Sequence, residues 1–220
     1  MLCHAPKKHI KKILENYRRI YSAWPKPTTS PLTAGDHPEL DTSELLDEDN
    51  QKIYQLLIGA LQGVMQISRF DICTVAMTLS RFRAMKRQGH LDHVQRTHGH
   101  LSKMRCAAIK IRTHAPDYSD TPVKMCDWEC SCYADAKEEI PLDAPKPKGK
   151  PVTVTSCFDA NLCHNLISGK SVTGILHQLN KTPIDWHSKL QSSVETATFG
   201  LECVAARTCT EQVIDLRLTL

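Results

Sequence analysis

Apolar residues recur every three to four positions through much of the first half of the chain, which is the spacing of one face of an α-helix. Four such stripes predict four amphipathic helices, the first of which ends before Pro25. Their members are Ile10, Ile13, Leu14, Tyr17, Ile20 and Tyr21; Tyr54, Leu57, Ile58, Leu61, Val64 and Met65; Ile72, Val75, Ala76, Leu79 and Phe82; and Leu91, Val94, His98, Leu101 and Met104 or Arg105.

The segment between the first two helices has no such period. Residues 25–50 are rich in Pro, Thr, Ser, Asp and Glu, which is typical of an extended, acidic connector, and we expect it to pack weakly. After the fourth stripe, residues 107–112 become strand-like. Residues 1–115 are therefore predicted to form a helical domain.

The second half changes character. Residues 116–150 mix Pro, acids and Lys and end in PKPKGK, which indicates a linker. Three strand-like segments follow, at about 152–159, 171–179 and 184–191, and a helix at about 196–218. The predicted fold class is α+β: a helical domain, then a small domain of three antiparallel strands and one helix over residues 151–220.

Charge is strongly segregated along the chain, although the net charge is only +4. Residues 1–27 carry seven Lys or Arg against one acid, residues 28–52 seven acids against one Lys, and residues 69–114 ten Lys or Arg against two acids. A basic block of this kind favours phosphate backbones or acidic partners, although basic helix faces are as often simply solvated. The densest run contains Arg81, Arg83, Lys86 and Arg87, for which a phosphate contact and a solvated helix end are equally good interpretations.

The chain has ten Cys, but its first residues lack the apolar core of a signal peptide, so an intracellular, reduced protein in the cytoplasm or nucleus is expected. The longest apolar-looking stretch, residues 56–67, is too short to cross a bilayer and contains two Gln, so no membrane partner is expected.

Four ordered motifs in the second half carry a family resemblance. They are FDANL at 158–162, GKSVTG at 169–174, TPIDWHSKLQ at 182–191 and VETATFGLE at 194–202. In this order they resemble the ribonuclease H portion of copia-type long-terminal-repeat retrotransposon polyproteins. The first half resembles the end of the reverse transcriptase in the same polyproteins, through Tyr54, IGAL at 58–61, RFDI at 69–72, LSRF at 79–82 and PDYS at 116–119.

The resemblance implies a Mg²⁺ site in which Asp159 and Glu202 are catalytic and bind the metal, because two-metal phosphodiester hydrolysis needs converging carboxylates. It also implies an RNA/DNA hybrid or duplex as the partner, with Arg81, Arg83, Lys86, Arg87 and Lys189 as contacts, and possible association with other segments of the polyprotein. The third carboxylate of the family lies on a later strand, beyond Leu220, and no Asp-Asp pair of a polymerase palm occurs. We therefore expect a fragment that is inactive alone. The alternatives are a ribonuclease H completed by another chain, or a non-enzymatic nucleic-acid or zinc-binding module.

Other acidic residues are weaker choices for the metal site. Glu195 lies seven residues before Glu202 but precedes the helix, and Glu211 and Asp215 lie about 180° and 140° around the helix from Glu202. Taken alone, Asp159 is an ordinary strand-end residue and Glu202 an ordinary helix acid. The ordered motifs favour the metal-binding role for both residues instead.

Two further groups could bind metal. A zinc site could form from Cys126, Cys130 and Cys132 with Cys157, Cys163 or His164, but the spacing is unusual. The spacing of His90, His93, His98 and His100 favours surface or core positions over a helical metal pair. Finally, the strand at 152–159 is uncharged up to Phe158 and is expected to be an uncovered sheet edge that lowers solubility.

Overall fold

The computed structural model describes residues 2–114, 116–119, 142–143, 149 and 152–219. In this part of the chain the structure contains five α-helices and five β-strands, so the predicted α+β class is confirmed. Most of the predicted linker at 116–150 lies outside the described residues. The elements are β1 (Leu2–His4), α1 (Lys7–Tyr21), α2 (Glu48–Ile67), α3 (Cys73–Ser80), α4 (Gln88–Lys103), β2 (Ile109–Ile111), β3 (Val154–Asn161), β4 (Val172–Leu179), β5 (Thr182–Leu190) and α5 (Thr198–Thr219).

The first four helices share one hydrophobic core. All six apolar residues predicted for α2 are buried, as are the central members of the other three stripes. Each buried Leu or Ile stabilises the fold by about 2 kcal/mol relative to an exposed one. The Tyr54 hydroxyl donates a 2.6 Å hydrogen bond to the Leu79 carbonyl, which satisfies its polar atom inside the core.

The acidic segment 25–50 packs more closely than expected. Pro25, Pro38 and Leu46 are buried, and the backbone N–H of Thr28 donates to the Gly99 carbonyl of α4. A Cβ atom at Gly99 would collide with the Lys26 carbonyl, so glycine permits this close crossing. The expectation of weak packing was wrong, because the segment holds apolar anchors between its acids and lies along α4.

A buried cation closes the helical core at the end of α2. Arg69 is 1% exposed, and its guanidinium donates to both carboxylate oxygens of Asp71 at 2.7 and 2.6 Å and to the Met104 carbonyl at 3.1 Å. His100 Nε2 lies 3.1 Å from the same carboxylate. Burial alone would raise the pKa of Asp71, but the hydrogen bonds and charge of Arg69, with those of His100, outweigh it and hold that pKa below its ordinary value.

Strands β3, β4 and β5 form an antiparallel sheet in the order β3-β4-β5. Asp159 pairs with Gly174 of β4, and Gly174 pairs with Ser188 of β5. Strands β4 and β5 are joined by Asn180 and Lys181, which both have positive φ, as two-residue hairpin turns require. A small second sheet pairs β1 with β2; the sequence predicted β2 but not β1.

Helix α5 covers one face of the three-stranded sheet. Ala160 of β3 packs with Leu201 and Ala205 of α5. Deeper along the same face, the Ser156 hydroxyl lies 2.7 Å from His177 Nδ1, and His177 Nε2 lies 3.0 Å from the Gln212 side-chain oxygen. The helix is therefore held by small apolar contacts near its start and by a polar chain further along.

The opposite face of the sheet packs on the helical core. The Trp186 indole N–H of β5 donates to the Met65 carbonyl at 3.2 Å, and the Trp186 ring lies 5.6 Å from that of Phe70. The Ser188 hydroxyl is 3.3 Å from that of Thr74 in α3. Both faces of this small sheet are thus in contact with helices.

Strand β3 is the outer strand of the sheet that the described residues form, because it pairs with β4 on one side only. Phe158 and Cys157 of this strand are exposed. Within the described residues the segment has the edge position that the sequence predicts, and its effect on solubility stays a prediction. Unpaired, uncharged edges of this kind favour association between chains.

We expect Cys157→Lys to reduce aggregation, because a charge on an edge strand opposes pairing with a second strand. The measurement is light scattering during incubation under reducing conditions. Cys203→Lys is the matched control, since Cys203 is also exposed but lies on α5. Equal effects of the two substitutions would show that net charge, and not the strand edge, controls association.

His98 is fully buried in the helical core, where it fulfils the prediction of a core position. Its Nδ1 lies 2.8 Å from the Val94 carbonyl and its ring 5.5 Å from that of Tyr17. Burial lowers the pKa of His98 to about 4, which the hydrogen bond to Val94 only partly opposes.

This depressed pKa predicts a pH dependence of stability. Below about pH 6.5 the unfolded chain protonates this histidine while the folded chain does not, so the free energy of unfolding falls, by about 1.4 kcal/mol per pH unit, until about pH 4. His98→Phe keeps the aromatic packing and should remove this part of the dependence in urea titrations between pH 7 and 4. His4→Ala, at an exposed histidine, should leave it unchanged; parallel curves for wild type and His98→Phe would contradict the assignment.

Candidate nucleic-acid interface and carboxylate pair

Asp159 lies near the end of β3 and is exposed. Its neighbour Ala160 packs on α5, and successive side chains of a strand point to opposite faces. The Asp159 side chain therefore projects from the face of the sheet that is turned away from α5. On this face a Cβ atom at its partner Gly174 would meet nothing within 4 Å, so the space beside Asp159 is open.

Glu202 lies in the second turn of α5 and is partly buried. It follows Leu201, which packs on Ala160, so the backbones at Asp159 and Glu202 come together, while the Asp159 side chain starts from the sheet face that is turned away from α5. The close approach of the two carboxyl groups stays a prediction.

The described residues contain no group of three or more His, Cys, Asp or Glu arranged to hold a metal ion. Asp159 and Glu202 are the right donors for Mg²⁺, which prefers carboxylate oxygens. Two carboxylates do not make the set of three that the resemblance implies, so the residues described here fit the ion incompletely.

The three other acids have separate roles. A Cβ atom at Gly200 would lie 2.7 Å from Oε2 of Glu195, so this carboxylate sits beside the first turn of α5, where negative charge is favourable. Glu211 and Asp215 line a cavity of about 440 Å³ between β5 and α5, which Glu202 does not line. Glu211 also pairs with Arg207 at 2.9 Å.

Two of the predicted basic contacts meet across the two halves of the chain. Arg81, directly after α3, and Lys189, on β5, line one cleft of about 270 Å³. Both residues are exposed. Lys189 also lines the cavity that Glu211 and Asp215 line on the α5 side of the sheet. Thr78, Ser80 and Ser188 also line the cleft, but the Ser80 hydroxyl donates to the Met77 carbonyl at 2.8 Å and the Ser188 hydroxyl to Thr74. Two exposed cations beside one cleft form a surface suited to phosphate oxygens.

Arg83 is exposed two residues further on, and its guanidinium contacts the side-chain oxygen of Gln62 on α2. It does not line the cleft.

Lys86 does not fit the expectation of a phosphate contact. It is 5% exposed, and its ammonium donates to the Gln51 side-chain oxygen at 3.4 Å. Its backbone carbonyl accepts from Leu46 N–H at 3.0 Å, so the residue holds the acidic segment against the start of α4. The sequence of the basic run from Arg81 to Arg87 does not indicate that Lys86 is buried.

Arg87 is also used within the fold. Its guanidinium donates to the Ser43 carbonyl, and its backbone N–H donates to His90 Nδ1 at 3.2 Å at the start of α4. The exposed members of the predicted interface are therefore Arg81, Arg83 and Lys189.

The loop between β3 and β4 borders this surface. The Leu166 N–H donates to the Glu39 carboxylate at 3.0 Å, which joins the loop to the acidic segment. Burial lowers the pKa of His164, with Glu39 opposing the shift and the positive charge of Arg81 adding to it. His164 therefore contributes no full positive charge near neutral pH, and Glu39 places one acid at the border of the interface.

The zinc alternative remains untested. Cys126, Cys130 and Cys132 lie outside the described residues, while Cys157 and Cys163 are exposed free thiols. His90, His98 and His100 are buried in the helical core. The contacts of His98 and His100 are given above, and His90 Nε2 lies 2.9 Å from the Pro38 carbonyl.

The sequence did not indicate the polar chain of Ser156, His177 and Gln212. The sequence did contain a sign of it. Thr173, Ile175 and His177 lie at every second position of β4 and are buried, so the alternation of a strand places His177 on the buried face.

Comparisons with protein-family models, with curated proteins and with solved structures gave no match. In the described part of the chain, none of the helices has both the length and the apolar character needed to cross a membrane.

Proposed function

We propose that this chain is a fragment of a copia-type retrotransposon polyprotein, covering the end of the reverse transcriptase and the first half of ribonuclease H, and that it associates with RNA/DNA hybrid or duplex backbones without cleaving them. The observation that carries the binding part is the cleft that Arg81 and Lys189 share. The ordered motifs in both halves of the sequence support the family part.

The chemistry of the cleft favours backbone binding over base recognition. Cations contact phosphate oxygens, which are the same at every position of a nucleic acid, so binding should be independent of sequence. Phosphate contacts also release counterions, so the affinity should fall steeply as salt rises.

The order of the elements supports the ribonuclease H part. Three antiparallel strands are followed by a helix that packs on the first strand, and the Asp and Glu of the motifs fall on that strand and that helix. An active Mg²⁺-dependent ribonuclease H completed by another chain is the second candidate, because in the described part of the chain β3 pairs on one side only, and a further strand beside it could bring a carboxylate.

The binding prediction concerns the two cations of the cleft. Arg81→Ala with Lys189→Ala should weaken binding to an RNA/DNA hybrid and lower the slope of log affinity against log salt by about two, since each phosphate contact contributes about 0.9. Fluorescence anisotropy across a salt series measures both quantities.

The matched control is Lys52→Ala with Arg207→Ala, which removes the same charge from two exposed ion pairs elsewhere. If the two double variants behave alike, the cleft makes no specific contribution and the binding part of the proposal fails.

The cleavage prediction concerns the carboxylate pair. With Mg²⁺ or Mn²⁺ the chain should leave an RNA/DNA hybrid intact, because Asp159 and Glu202 alone do not complete a two-metal site. The readout is a gel of labelled hybrid. Cleavage that disappears on Asp159→Asn would instead establish the second candidate.

A further inference from the structure

A groove of about 440 Å³ lies along α1, on a different surface from the cleft of Arg81 and Lys189. Its floor is formed by Ile10 and Leu14 of α1, and its far side by Trp24, Arg105 and Cys106. These residues, with Lys7, Lys11 and Glu15, define what we call the α1 groove.

The rim of the α1 groove is positively charged. Lys7, Lys11 and Arg105 are exposed along it, and Lys7 and Lys11 are one helical turn apart on α1. Among the described residues that line the groove, Glu15 is the single acid, and it pairs with Lys11 at 3.8 Å. The occupant should therefore be an anion.

An aromatic ring forms part of the wall. Trp24 is 52% exposed, although a large aromatic residue is usually buried more deeply. The Arg18 guanidinium lies 5.1 Å from the centre of its ring, and a cation over the face of a tryptophan is attractive and helps to hold the ring in place. The groove therefore combines an apolar floor and a held aromatic wall with a cationic rim.

We propose that the α1 groove binds single-stranded nucleic acid, with a base in contact with Trp24 over the floor of Ile10 and Leu14, and with phosphates on Lys7, Lys11 and Arg105. Single strands expose the faces of their bases for stacking on aromatic side chains, whereas the bases of a duplex are stacked on one another. An acidic peptide would match the charge of the rim but would use the aromatic wall less well. This assignment does not depend on the duplex binding proposed for the cleft.

The test uses the intrinsic fluorescence of the chain. A short oligomer of deoxythymidine, which does not pair with itself, should quench the fluorescence of the wild-type chain. The quenching component should be absent in Trp24→Phe, which leaves the other two tryptophans, Trp128 and Trp186, in place. Trp24→Leu should weaken binding about tenfold, within the range that base stacking on one aromatic residue provides.

The charge of the rim is tested by Lys7→Ala with Lys11→Ala. This variant should bind the oligomer at least several-fold more weakly, while Lys52→Ala with Arg207→Ala, which loses the same charge elsewhere, should bind normally. Arg81→Ala with Lys189→Ala should leave the Trp24 signal intact, so a failure of the cleft and a failure of the groove can be told apart. Far-ultraviolet circular dichroism of each variant checks its fold.

A second measurement needs no substitution. Cys106 lines the groove and is exposed, so the oligomer should slow its alkylation, whereas Cys203 on α5 should react at an unchanged rate. An unquenched Trp24 together with unprotected Cys106 would overturn the proposal. Equal quenching of Trp24 by polyglutamate at matched charge would overturn it in favour of an acidic protein partner.

Discussion

The arrangement of the two halves depends on the buried guanidinium of Arg69. Its bonds to Asp71 and to the Met104 carbonyl fix the end of α2, the turn after it and the end of α4 in one geometry. A buried cation without such partners would be strongly destabilising, so the surrounding backbone has little freedom. Met65 and Phe70 lie on either side of Arg69 in the sequence, and both contact Trp186 of the sheet. The hydrogen bonds of Arg69 thus fix the position of the surface on which the sheet packs, and therefore the position of the cleft that Arg81 and Lys189 line.

The helices were predictable from the sequence because each buries one continuous stripe of apolar side chains. The three strands of the larger sheet were also predictable, because turn-forming residues separate them in the sequence. The packing of residues 25–50 was not predictable, since Pro25, Pro38 and Leu46 are too far apart to form a period. Strand β1 was not predictable either, because its three residues are exposed and form a strand only by pairing with β2.

The candidate sites were also predictable only in part. The sequence predicted Asp159 on a strand and Glu202 on a helix, as the structure has them, but the face from which the Asp159 carboxylate projects is set by the packing of Ala160 on Leu201. Charge counts identified the basic region, yet they could not separate exposed Arg81 from buried Lys86, because burial depends on partners such as Gln51 that lie far away in the sequence. The α1 groove was invisible to sequence reasoning for the same reason, since Arg105 reaches it from the end of another helix.

The packing of α5 on β3 also sets an order of events during synthesis. Strand β3 leaves the ribosome before β4, β5 and the helix that covers it, so Ala160 stays exposed until α5 has been synthesised. Chains grow by about 5 to 20 residues per second, so the interval is on the order of seconds, which is long compared with the formation of a hairpin. The β4–β5 hairpin can therefore form and rest on the finished helical core through Trp186 while the opposite face of the sheet is still bare. In that interval the side of β3 that α5 later covers is in contact with water.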